Sequence, residues 1–173
     1  MTPKAVQAAR HLLARLKVKS LPIPVEQLAK TVGAKVSHRV LEGEVSGLLY
    51  NKGGKSVIGV NSLHPNTRQR FTIAHELGHL VLQHGDILVD RHILYRNSHS
   101  QEGIDQIEIE ANSFAAELLM PETMIRRELT QTHLDPEDQD ALEGLAAKFD
   151  VSVPALTFRL VNLGLMSANW IQE

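Results

Sequence analysis

The stretch Thr72-Ile-Ala-His-Glu-Leu-Gly-His-Leu-Val-Leu-Gln-His84 sets two histidines four residues apart, with a glutamate directly after the first. On an α-helix, positions four apart lie about 40° apart around the axis and roughly 6 Å apart along it. His75 and His79 can therefore aim two imidazole nitrogens at one Zn²⁺, and Glu76 sits near enough to hold the proton of a water activated there. Glu76 is the only charged residue between Thr72 and Gln83, so the helix is apolar enough to lie inside a domain. Gly78 costs a helix interior about 1 kcal/mol relative to alanine. Close approach of another backbone over the metal is a reason to keep it.

A metal needs more than two ligands. The chain has no cysteine, which leaves histidines and carboxylates as donors and rules out disulfides. The strongest later helix is Gln106–Met120, with Glu108 and Glu110 near its start. These two are about 200° apart around a helix, so only one can face a metal. Glu108 is the better third ligand, because Asn112 lies one turn on along the same face. Its amide oxygen can take a hydrogen bond from the far nitrogen of a ligand histidine and fix its tautomer. Glu110 is expected to face solvent or form a surface pair. His84 follows His75 by nine residues, about 180° around a continuous helix. No glycine between His79 and His84 would end the helix early. His84 is thus expected to face away from the metal, at the helix end.

The remaining pattern reads as α+β. Residues 3–17 and 25–32 have helical apolar spacing and are separated by Pro22 and Pro24. Ala34–Leu41, Ser46–Tyr50 and Lys55–Asn61 are β-rich, the last two joined by a hairpin turn at Asn51–Lys55. A small antiparallel sheet is expected, whose edge could pair with an extended peptide. His64–Thr67 leads into the histidine helix. Residues 86–105 form a long polar connection that includes His92, Tyr95 and His99, with a strand at Ile87–Val89 or Ile93–Tyr95.

Residues 68–84, together with Glu108-Ile-Glu-Ala-Asn-Ser-Phe-Ala-Ala-Glu-Leu-Leu-Met-Pro121, resemble the ImmA/IrrE family of zinc metallopeptidases. The resemblance extends over most of the chain. It implies a compact zincin-like fold, zinc held by His75, His79 and Glu108, and Glu76 as general base. It also implies a substrate class, because characterised relatives cleave transcriptional repressors that carry helix-turn-helix domains. The sensor domain that follows the peptidase in some relatives is not carried over to a chain this short.

The expected organisation is a metallopeptidase domain over residues 1–121 and a helical segment over 122–173. In the latter, a helix over Glu122–Thr132 is followed by another starting at Leu134–Glu137. Two short helices then meet at Asp150–Ser152, with Ser152 as N-cap, in a helix-turn-helix-like outline. From Leu145 onward the basic residues are Lys148 and Arg159, against Asp150 and Glu173. That balance argues against DNA binding, although Thr157, Arg159 and Asn162 are the side chains a recognition helix would offer. Packing on the peptidase or docking a repressor suits the segment better. The net charge of −2 likewise provides no basic field for nucleic acid. No signal-like or membrane-length apolar run occurs, so a cytoplasmic location is expected. The rival reading is a non-proteolytic regulator that binds a repressor, a toxin partner or DNA. A structural metal needs no general base, and Glu76 therefore favours hydrolysis.

Overall fold

The computed structural model describes residues 1–43, 45–91, 102–132 and 138–167. Seven helices and four strands lie among them, in the order α1 (Pro3–Arg15), α2 (Val25–Thr31), β1 (Ala34–Arg39), β2 (Val45–Lys52), β3 (Lys55–Asn61), α3 (Asn66–Leu82), β4 (Ile87–Arg91), α4 (Glu102–Leu119), α5 (Glu122–Thr132), α6 (Gln139–Phe149) and α7 (Val153–Asn162). The α+β reading holds, and the first of the two alternative strands after the histidine helix forms as β4, whereas the second, Ile93–Tyr95, lies outside the described residues. His92, Tyr95, His99 and the expected helix start at Leu134–Glu137 lie outside the described residues. Among the described residues, no helix is long and apolar enough to cross a membrane.

The sheet corrects one expectation. Its order is β1-β3-β2-β4, and β1 runs parallel to β3, from Ala34 opposite Ser56 to Arg39 opposite Asn61. It is mixed rather than antiparallel. β2 and β3 form the anticipated antiparallel hairpin, closed at Lys52 opposite Lys55. After β1 the chain crosses the end of β3 and lays β2 on its far side. Asn61, at that end, is buried and donates its amide to Leu41 O at 3.3 Å and Val45 O at 3.0 Å. These bonds pin the crossing segment to a position that sequence order does not reveal.

α3 packs against β2 and β3 of the sheet and against α4, and α1 packs against both α4 and α3. The apolar stripe of α4 is Ala111, Phe114, Ala115, Leu118 and Leu119, all fully buried. Its alternating three- and one-residue steps are those of one helix face. One continuous core joins these residues to Ile58 and Val60 of β3, Ile73 and Leu77 of α3, and Leu156 and Leu160 of α7.

The last two helices are anchored by polar contacts. Asp150 adopts a left-handed conformation (φ 53°) between α6 and α7 and accepts from Asn66 at 3.0 Å. Arg70 of α3 donates to Asp150 O at 3.1 Å and Ile23 O at 2.9 Å. Ser152 caps α7, its hydroxyl accepting from Ala155 N at 3.3 Å. Arg159, one of the three side chains a recognition helix would offer, is 2% exposed. It forms an ion pair with Glu117 of α4 and donates to Met120 O at 3.1 Å. It is a packing element here, and is not presented to a groove.

Candidate metal centre

α3 and α4 bring four of the residues singled out in the sequence to one place. His75 Nε2 and His79 Nε2 lie 2.9 Å apart. Glu108 Oε2 is 3.1 Å from the first and Glu108 Oε1 is 3.3 Å from the second. A tetrahedral site with bonds of about 2.0–2.1 Å has donor–donor edges of about 3.3–3.4 Å. The three side chains are thus nearly spaced to share one ion, and their ligand atoms all fall within 4.8 Å of one another. Two imidazoles and a carboxylate are a donor set suited to a divalent transition metal such as zinc. The fourth residue, Asn112, places Oδ1 3.0 Å from His75 Nδ1.

Gly78 sets the separation of the two helices. A methyl group there would lie 3.1 Å from Phe114 Cδ1 and 3.3 Å from Ala111 Cα. The backbone that approaches this glycine is α4, the helix that carries Glu108. Its helix-propensity cost is offset by letting α4 close on α3.

The electrostatics favour metal-ready protonation states. Burial is the largest influence on His79 and lowers its pKa, outweighing the opposing hydrogen bond to Glu108. Neutral imidazole is the form that binds metal. Burial pushes the Glu108 carboxyl up, but its hydrogen bonds with His75 and His79 together outweigh that and hold it well below the usual carboxylate range. Glu108 is accordingly an anion although half-buried.

Glu76 is fully buried and lies on the β2 side of α3. A methyl group on Gly47 of β2 would sit 2.3 Å from Thr72 Cγ2, 3.0 Å from Glu76 Oε1 and 3.2 Å from Gly59 O. The absence of a Cβ there leaves room for the Thr72 methyl, the closest of the three, and for the Glu76 carboxylate beside it. Gly47→Ala is expected to cost about 1–3 kcal/mol by overpacking, a loss of roughly 2–12 °C in Tm for a chain of this size. Thermal denaturation measures it, and an unchanged Tm would show that β2 lifts off α3 freely.

Two sequence expectations are corrected. α3 stops at Leu82, because Gln83 takes a left-handed conformation (φ 60°, ψ 45°) without being glycine. The chain turns back, and the His84 N–H bonds to His79 O at 3.0 Å. His84 does not face away from the site, since its Nδ1 lies 2.9 Å from His79 Nδ1. Of the two alternatives for Glu110, a pair is the one formed, but its nearer partner is the buried His84: Glu110 Oε2 is 3.2 Å from His84 Nε2, and its side chain is 15% exposed. It also has a looser contact of 3.7 Å with the exposed Lys4. Sequence spacing alone missed both residues. The histidine beyond the motif was the available signal, but it was read along an unbroken helix.

Comparison with known proteins places the chain in a family. A peptidase family model described as the IrrE N-terminal-like domain matches residues 29–161. The radiation response metalloprotease IrrE of Deinococcus radiodurans is 36% identical over 106 residues, covering 61% of this chain and 30% of the relative. The protein of the same name from Deinococcus deserti is 38% identical over 105 residues, covering 60% of this chain and 35% of the relative. This chain therefore spans about a third of the length of those relatives. In fold it is similar to a Mycobacterium tuberculosis transcriptional regulator, with a TM-score of 0.61 at 19% identity over 92% of this chain and 47% of the other. The family match takes in both donor helices and most of the chain around them, and on that ground the chain belongs to the family of IrrE N-terminal-like domains.

Proposed function

We propose that this chain is a zinc-dependent endopeptidase of the cell interior, zincin-like in fold, that cleaves a transcriptional repressor or similar regulatory protein. The observation that carries the reading is the convergence of His75 and His79 of α3 with Glu108 of α4 within 4.8 Å, beside a Glu76 that is completely buried on α3. His75, His79 and Glu108 would hold the ion, with Asn112 orienting His75. When bound, zinc supplies Lewis acidity, polarising a peptide carbonyl and lowering the pKa of a water to about 7. Glu76 takes the proton of the attacking water and passes it to the leaving amine. β4 is an edge strand of the sheet and pairs with β2 where Gly47 stands opposite Asp90. Among the described residues no strand pairs with its other edge, which is suited to adding an extended substrate strand.

The repressor substrate rests on the family resemblance, and residues 122–173 are read as a helical segment packed on the peptidase over residues 1–121. The buried pairing of Arg159 with Glu117 supports that packing role over a DNA-reading one. The test is to incubate the purified protein with the helix-turn-helix repressor encoded beside its gene and to map products by mass spectrometry. Cleavage at a defined bond is expected. Stripping the metal with a chelator is expected to abolish it, and added Zn²⁺ to restore it. Cleavage that persists after complete metal removal would overturn the reading.

A further inference from the structure

The two histidines of the donor cluster are supported differently at their far nitrogens. His75 Nδ1 meets a neutral amide, Asn112 Oδ1, at 3.0 Å. His79 Nδ1 meets a second imidazole, His84 Nδ1, at 2.9 Å, and His84 Nε2 meets the Glu110 carboxylate at 3.2 Å. His84 is well placed for this, with a side chain only 5% exposed. The other oxygen of Glu110 accepts from Gln106 Nε2 at 3.1 Å.

Neutral imidazole carries one ring proton. If His79 ligates through Nε2, its proton sits on Nδ1 and is donated to His84 Nδ1. His84 must then carry its own proton on Nε2, where it is donated to Glu110. A single set of neutral tautomers satisfies every contact in the series, and it ends on a negative charge.

We propose that His84 and Glu110 are positioning residues that fix the tautomer and ring plane of His79 and strengthen it as a metal donor. The inference rests on the metal-site reading above and adds that the two histidine ligands are unequal. His75 is held by an amide, and His79 by a relay that ends in a carboxylate. Outer partners of this kind act on metal affinity itself. The bond from the His84 N–H to His79 O belongs to the backbone and survives any change of side chain, so closing the helix and supporting the ligand are separable roles.

The experiment measures zinc affinity of the full chain by competition with a chromophoric chelator, for the parent, Glu110→Gln, His84→Ala and the double variant. The absorption spectrum of each Co²⁺ form and the Tm of each metal-free form are recorded alongside. Glu110→Gln keeps the shape and removes the charge. It is expected to weaken zinc binding roughly 10- to 100-fold, to shift the Co²⁺ spectrum and to leave the metal-free Tm near that of the parent. The double variant is expected to be no weaker than the worse single one, because both act through His79. Zinc affinity of Glu110→Gln within about twofold of the parent, with an unchanged Co²⁺ spectrum, would overturn the relay, and Glu110→Gln decides the matter even where His84→Ala fails to fold. A parent protein that binds no zinc would overturn the metal-site reading together with the relay, whereas a parent that binds zinc alongside unaffected variants would overturn the relay alone.

Discussion

Glu76→Gln is expected to fold, to hold zinc like the parent and to cleave about 10²- to 10⁴-fold more slowly. Glutamine matches glutamate in volume, so the fully buried position beside Gly47 is refilled without a cavity. The donors His75, His79 and Glu108 are untouched, and metal content should not change. What is lost is a group able to accept a proton from water near neutral pH. Burying an amide in place of a carboxylate also relieves desolvation of a charge, so the Tm should stay level or rise. His79→Ala provides the contrast, because it removes a donor and should lose metal and cleavage together. Metal analysis alongside initial rates separates the two cases. Undiminished cleavage by Glu76→Gln would end the assignment of Glu76 as the base.

The largest effect on stability is expected far from the metal, at Arg159. Its guanidinium pairs with Glu117, and both residues are almost completely buried, at 2% and 1% exposure. Burial is the main influence on Arg159 and lowers its pKa against the pull of Glu117. Arg159→Met leaves the Glu117 carboxylate with Arg10, which bonds it at 2.7 Å from a side chain 47% exposed. Removing one member of a buried pair costs about 3–5 kcal/mol, roughly 6–20 °C in Tm at this chain length. Replacing both members by apolar residues of similar volume removes the buried carboxylate that Arg10 alone would otherwise have to balance. The double variant Glu117→Leu with Arg159→Met should therefore recover much of the loss. A double variant as unstable as the single one would show that Arg159 acts through its bonds to Met120 O and its packing, rather than through the charge pair.

The site was more legible in the sequence than the sheet, for a physical reason. Helical geometry is local, so the spacing of His75 and His79 and that of Glu108 and Asn112 already fixes which side chains share a face. The same angles let only one of Glu108 and Glu110 face the metal, Asn112 one turn on favours Glu108, and the structure sets Glu108 beside the histidines. The reading of His84 failed through an equally local detail, since Gln83 takes up a left-handed conformation that its residue type does not announce. The sheet failed for a non-local reason. Three β-rich runs in succession suggest an antiparallel sheet, whereas Asn61 holds the segment after β1 across the end of β3, and β1 runs parallel to β3. The charge balance of the last helices already argued for packing over DNA binding, but the partner that buries Arg159, Glu117 of α4, lies 42 residues away and is set beside it only by the fold.

By itself, then, the sequence determined the chemistry available: two imidazoles and a carboxylate on helix faces, a glutamate between the imidazoles, and no thiol to compete for metal. Tertiary structure decided how those groups are held. It closed α4 on α3 at Gly78, opened space for Glu76 at Gly47, and turned the chain after Leu82 so that His84 and Glu110 stand behind His79. Ligand spacing repeats with the turn of a single helix, but the support behind a ligand comes from segments that meet only when the chain has folded.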